Sequence, residues 1–135
     1  MKRLLIIALF FTASYGINAQ VSVIVNKSVG QSSISATLLT NIYSLTLTKW
    51  ADGSKIVVLD NTSDAKTDFY SSLGKDQLSL KKEWLKKQLT GEAKAPETLG
   101  SDSDVVNKVA STPGAVGFVK SSSVTPNVKV LLEIK

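Results

Sequence analysis

The chain has 135 residues, with 16 Lys+Arg against 11 Asp+Glu and a formal net charge of +5. It contains neither Cys nor His. This excludes disulfides, thiolate metal sites, a cysteine nucleophile and a lipid-bearing cysteine, and it removes the usual general base and commonest metal ligand.

Lys2 and Arg3 open the chain, followed by the apolar run Leu4 to Phe11 and then Ile17-Asn18-Ala19 before Gln20. This is the three-part pattern of a secretory signal. The run is far shorter than the roughly 20 residues of a spanning helix. Residues 1–19 are therefore expected to be a signal peptide, and residues 20–135 a single periplasmic or secreted domain without a membrane span. A chain of this size can be held by its core alone. Beyond Arg3 every basic residue is Lys. Arg dominates base recognition, so no nucleic-acid partner is expected.

Val21 to Val25 reads as a β-branched strand. The polar loop Asn26 to Ser33 follows. Ile34, Leu38, Leu39 and Ile42 then recur at helical spacing, with Ser32 or Ser33 as the expected N-cap. Ala51-Asp52-Gly53-Ser54 is a turn. Ile56 to Leu59 is a buried strand. Asn61, Thr62, Ser63 and Asp64 supply helix-start chemistry. Ala65, Phe69 and Leu73 form the apolar face of the next helix, which Gly74 stops.

Leu80, Trp84, Leu85 and Leu89 define a further amphipathic helix, closed by Gly91. Lys81, Lys82, Lys86 and Lys87 lie on its outer face, either as a solvated surface or as a contact for an acidic partner or membrane. Gly91 to Gly100 reads as a loop around Pro96. Ser101 or Asp102 caps a helix with Val105, Val106 and Val109 inward. Ala115 to Val119 and Val128 to Ile134 are the last strands. Strands alternating with helices define an α/β sheet with helices packed on it.

The order of these landmarks resembles a known family. Ile42-Tyr43-Ser44-Leu45 precedes Trp50-Ala51-Asp52-Gly53, Trp84 precedes Leu89-Thr90-Gly91, and Pro113-Gly114-Ala115-Val116-Gly117-Phe118-Val119 comes late. Together they resemble the phosphate-type substrate-binding proteins of ABC transporters. The resemblance implies an α/β fold like one lobe of a type II periplasmic binding protein, with a central mixed β-sheet flanked by helices. It also implies a small oxyanion ligand such as phosphate, an ABC transporter as partner, no cofactor and no enzymatic activity. Family members have two lobes; this chain matches mainly the second. The glycine- and serine-rich anion loop of the first lobe has no counterpart.

Two segments are candidates for ligand binding. Ser28, Ser32 and Ser33 lie between a strand and a helix. Asn61, Thr62 and Ser63 occupy a helix start, where backbone amides attract anions; such residues are also ordinary caps. The family commonly carries Arg-x-x-Gly-Ser-Gly-Thr here. In Leu59 to Ala65 that arginine and both glycines are replaced, and Asp60 and Asp64 add negative charge. The alternative function is therefore a lobe without an anion site, binding a protein partner or forming a homodimer. Gly117, inside a strand, signals close approach of a ligand or another backbone, or simply tight packing.

Overall fold

A computed structural model describes residues 20–135. The expected signal peptide, residues 1–19, lies outside the described residues. Among the described residues, no helix is long and apolar enough to cross a membrane.

Five strands form one mixed sheet. They are β1 (Val21–Val25), β2 (Val57–Asn61), β3 (Glu97–Leu99), β4 (Ala115–Lys120) and β5 (Lys129–Ile134), in the order β3-β2-β4-β1-β5. β2 runs parallel to β3 and β4, whereas β1 is antiparallel to both β4 and β5. The helices are α1 (Ala36–Tyr43), α2 (Ala65–Ser72), α3 (Gln77–Leu89) and α4 (Asp102–Ser111). The expected α/β architecture, a mixed sheet between helices, is the one observed.

The sheet separates two apolar cores. On one face Val23, Val58, Val116 and Phe118 meet residues of α1, α2 and α3. Phe69 of α2 stacks on Phe118 at 3.8 Å between centroids, and Tyr43 of α1 meets Phe69 edge-on at 4.8 Å. On the other face Ile24, Leu59, Ala115 and Val119 meet Val105, Val106 and Val109 of α4. Both tryptophans are buried and tied down. Trp50 donates its Nε1–H to the Gly114 carbonyl at 2.9 Å, and Trp84 donates to the Tyr43 carbonyl at 2.5 Å.

Four local expectations are corrected. The cap of α1 is Ser35, whose Oγ accepts from the Leu38 amide, so Ser32 and Ser33 lie outside the helix. Ile34 misled the periodicity because it precedes the cap yet joins the same core as Leu39, the arrangement of a hydrophobic staple. β2 extends to Asn61 instead of ending at Leu59. The segment Gly91 to Gly100 contains β3, a strand too short to show a period, paired in parallel with Leu59 to Asn61. Finally, α3 is capped by Asp76, and its Leu85 and Leu89 point to solvent.

The two motif glycines serve packing. Gly114 has φ of +76° and lies against the Lys55 backbone carbonyl, so a side chain there is excluded twice over. Gly117 brings α4 down onto the sheet: a Cβ there would lie 2.7 Å from Val105 Cγ1 and 3.3 Å from Val109 Cγ2. Gly117→Ala must push α4 outward. Its expected cost is about 1–3 kcal/mol, the usual range for overpacking. Denaturant unfolding checks it, and a loss below about 0.5 kcal/mol would show that α4 yields freely, since that is the range of unconstrained sites.

Candidate functional site

In open α/β sheets the carboxyl ends of the parallel strands form the edge where ligands bind. Here that edge gathers the end of β2, the β3–α4 junction and the turn Ser121–Ser123 after β4. Asp102, the first residue of α4, lies at its centre. Its Oδ1 accepts from Asn61 Nδ2 at 2.8 Å and Ser63 Oγ at 2.6 Å. Its Oδ2 accepts from the Lys120 backbone N–H at 3.1 Å and Ser123 Oγ at 3.0 Å. Four donors from two segments thus converge on one carboxylate.

Local sequence explains the convergence. Asn61 ends β2 fully buried on the α4 face, and its amide also donates to the Phe118 carbonyl at 2.8 Å. Its Oδ1 accepts from the Ser63 amide, turning the chain out of the strand. Ser101 caps α4 by accepting from the Asp104 amide. This fixes Asp102 in the first turn, where the helix dipole favours negative charge. Burial pushes the Asp102 carboxyl up, but the hydrogen bonds from Ser63, Asn61, the Lys120 amide and Ser123 outweigh it and hold the group below its ordinary value.

The candidate residues fall at opposite edges of the sheet. Asn61 and Ser63 belong to the site. Thr62 lies beside them, but its N–H and hydroxyl both donate to the Leu99 carbonyl. The expected cap role passes mainly to Ser63, whose Oγ accepts from the Ala65 amide at 3.3 Å, while Asp64 makes no side-chain cap bond. Ser28 lies at the other end, where its Oγ accepts from the Gly114 amide. The length of β2 alone separates these groups by about 13 Å. Ser28 sits near the carboxyl end of α4, whose last carbonyls are bonded by Asn26; that helix end carries the negative pole. Ser32 and Ser33 are exposed. No single site contains both groups.

The two acidic residues expected beside the anion position also separate. Asp64 forms an exposed ion pair with Lys120 at 3.6 Å. Asp60 is fully buried on the opposite face of β2. It accepts from Tyr70 Oη at 2.5 Å, from the Asn61 amide at 2.9 Å and from Thr98 Oγ1 at 3.5 Å. Burial raises the Tyr70 hydroxyl far above its ordinary value and the Asp60 charge adds to this, so Tyr70 remains a donor.

Asp102, Lys120 and Ser123 were not candidates. Asp102 read as an ordinary helix-start carboxylate, which it also is. The missing clue was β3: a strand ending at Leu99 places the following helix start on the carboxyl edge. Two depressions of about 410 and 550 Å³ occur elsewhere, one by Lys66, Tyr70 and Lys75, the other by Leu47, Val57 and Ala93. Neither is lined by Asn61, Ser63 or Asp102. Among the described residues, no group of three or more acidic side chains is placed to hold a metal ion.

Solved structures share this fold. An ABC-type phosphate transport receptor from Vibrio cholerae superposes with a TM-score of 0.65 at 22% identity, over 84% of this chain and 45% of that one. A putative phosphate ABC transporter substrate-binding protein with bound phosphate, from Clostridium perfringens, gives 0.69 at 15% identity, over 84% and 44%. PstS from Borrelia burgdorferi gives 0.62 at 15%, over 84% and 46%. The fold is thus that of one lobe of a phosphate-type periplasmic binding protein. The chain spans less than half the length of these structures. No protein-family model and no curated protein matches the sequence.

The depressed Asp102 value has a pH consequence. A carboxyl whose folded value lies below its unfolded value contributes stability that is present above the unfolded value and lost as pH falls through the folded one. Asp102→Asn should therefore melt below the parent at neutral pH. The gap should close as pH drops below the ordinary carboxylate value of 3.8. Melting curves across pH 2–7 (about the span over which carboxylates titrate) test this; a gap independent of pH would refute it.

Proposed function

We propose that this chain is a small-oxyanion recognition lobe of the phosphate-binding type, acting outside the cytoplasm with an ABC transporter, and that Asp102 occupies its anion position at rest. The observation that carries this reading is the convergence of four donors on one carboxylate at the carboxyl edge. Such a set of N–H and O–H donors at a helix start suits any oxyanion. The fold likeness to phosphate receptors supports the choice of phosphate within that class. Binding, not catalysis, is the role these groups suit.

The internal carboxylate sets the expected affinity. A tethered group competes at an effective concentration on the order of millimolar or higher. Free phosphate must displace Asp102 and also overcome the charge of Asp64 nearby. The parent chain should therefore bind phosphate or sulfate only weakly.

Asp102→Ala opens the position. Thermal shift and calorimetry should show it responding to millimolar phosphate while the parent responds less. Ligand at 100 times its dissociation constant adds about 2.7 kcal/mol. Asp104→Ala, which removes an exposed charge from the same helix turn, should leave the response at the parental level. If neither the parent nor Asp102→Ala responds, the anion reading fails. The second reading would then hold: Asp102 closes the edge permanently and the lobe engages a protein partner or a second copy of itself.

A further inference from the structure

We infer that the outer face of α3 is a docking surface for an anionic lipid bilayer. Leu80 and Trp84 anchor the inner face of this helix. Leu78, Leu85 and Leu89 are 60%, 56% and 78% exposed. At about 100° per residue, these three leucines fall within about 40° of one another and about 140° from the mean direction of the buried pair. They form one stripe on the outer side of a helix about 20 Å long.

The stripe has a cationic border. Lys81 flanks it on one side, and Lys82 and Lys86 on the other; all three are exposed. Glu83, the one acidic residue within α3, pairs with Lys75 at 3.7 Å. The surface is therefore apolar along its centre and positive along its rims, which complements an apolar layer beneath anionic headgroups.

The same residues argue against a partner helix. Between Leu78 and Leu85 the positions three and four residues on are Lys81 and Lys82, so no continuous seam of apolar knobs exists. A lipid surface tolerates that interruption, because lysine stems lie along the apolar layer while their charges reach the headgroups. The helix is also held rigidly from behind. Trp84 donates to the Tyr43 carbonyl, and Lys87 Nζ donates to the Ser44 carbonyl at 2.8 Å. The docking face is thus preformed. This inference is independent of Asp102 and of any bound anion.

Vesicle co-sedimentation tests it, using the chain in the form its cells accumulate. Mixed phosphatidylglycerol–phosphatidylcholine vesicles should bind the chain at least about tenfold better than phosphatidylcholine alone. About 0.5 M salt should weaken the binding by screening the lysines. Leu85→Ser with Leu89→Ser should keep the parental melting temperature, because both sites are exposed, yet lose about tenfold or more in vesicle binding. Lys81→Glu with Lys82→Glu should do the same. No binding to the anionic vesicles would overturn the proposal, as would parental binding by the folded leucine double variant. Capture of an acidic protein without any vesicle binding would assign the face to that protein instead.

Discussion

β2 ends in two consecutive polar residues that are both completely buried, and the rest of the molecule is arranged around satisfying them. Asp60 and Asn61 point to opposite faces of the sheet. A buried polar group without partners costs several times what a made hydrogen bond returns. Each face must therefore deliver donors or acceptors to the same strand end. On one face α2 brings the Tyr70 hydroxyl to Asp60, and β3 brings Thr98. On the other, α4 brings Asp102 to Asn61, and β4 brings the Phe118 carbonyl. Two adjacent side chains thereby fix helices on both layers and the strands on either side.

The two carboxylates reached in this way differ in what they can do. Asp60 is fully buried, and its closest partners are the Tyr70 hydroxyl and the Asn61 backbone N–H. It holds the fold and offers nothing to solvent. Asp102 is half-buried, and its four donors are two hydroxyls, an amide side chain and one backbone N–H at a strand end. Its charge is favoured by the start of α4. The sheet edge is thus assembled by the same strand end that anchors the core, which positions recognition groups on a rigid element.

Much of the fold was legible in the sequence. β1, β4, β5 and the inward valines of α4 carry strong apolar patterns, and the order of landmarks around Trp50, Trp84 and Pro113 to Val119 pointed to the correct single-lobe fold. What was not legible depended on tertiary partners. Asn61 looks like a helix cap because Asn is a good cap; its amide is instead engaged by two acceptors distant in sequence, the Asp102 carboxylate and the Phe118 carbonyl. Three-residue β3 shows no periodicity and exists because β2 offers it a ladder. Leu85 stands five residues after Leu80 and so turns about 140° away from it, whereas Lys87, seven residues on, returns to the inner side and its ammonium donates to the Ser44 carbonyl.

The site failed to appear in the sequence for a related reason. Its centre is an acidic residue, while the search for an anion site looks for positive charge, glycines and hydroxyls. A carboxylate surrounded by donors is chemically the image of a bound anion, not of its receptor. Asp102 shows where four donors converge and how they are oriented. On the proposed reading these donors hold one tethered carboxylate at rest, and without a cationic clamp they would hold a free oxyanion through hydrogen bonds alone once Asp102 is removed.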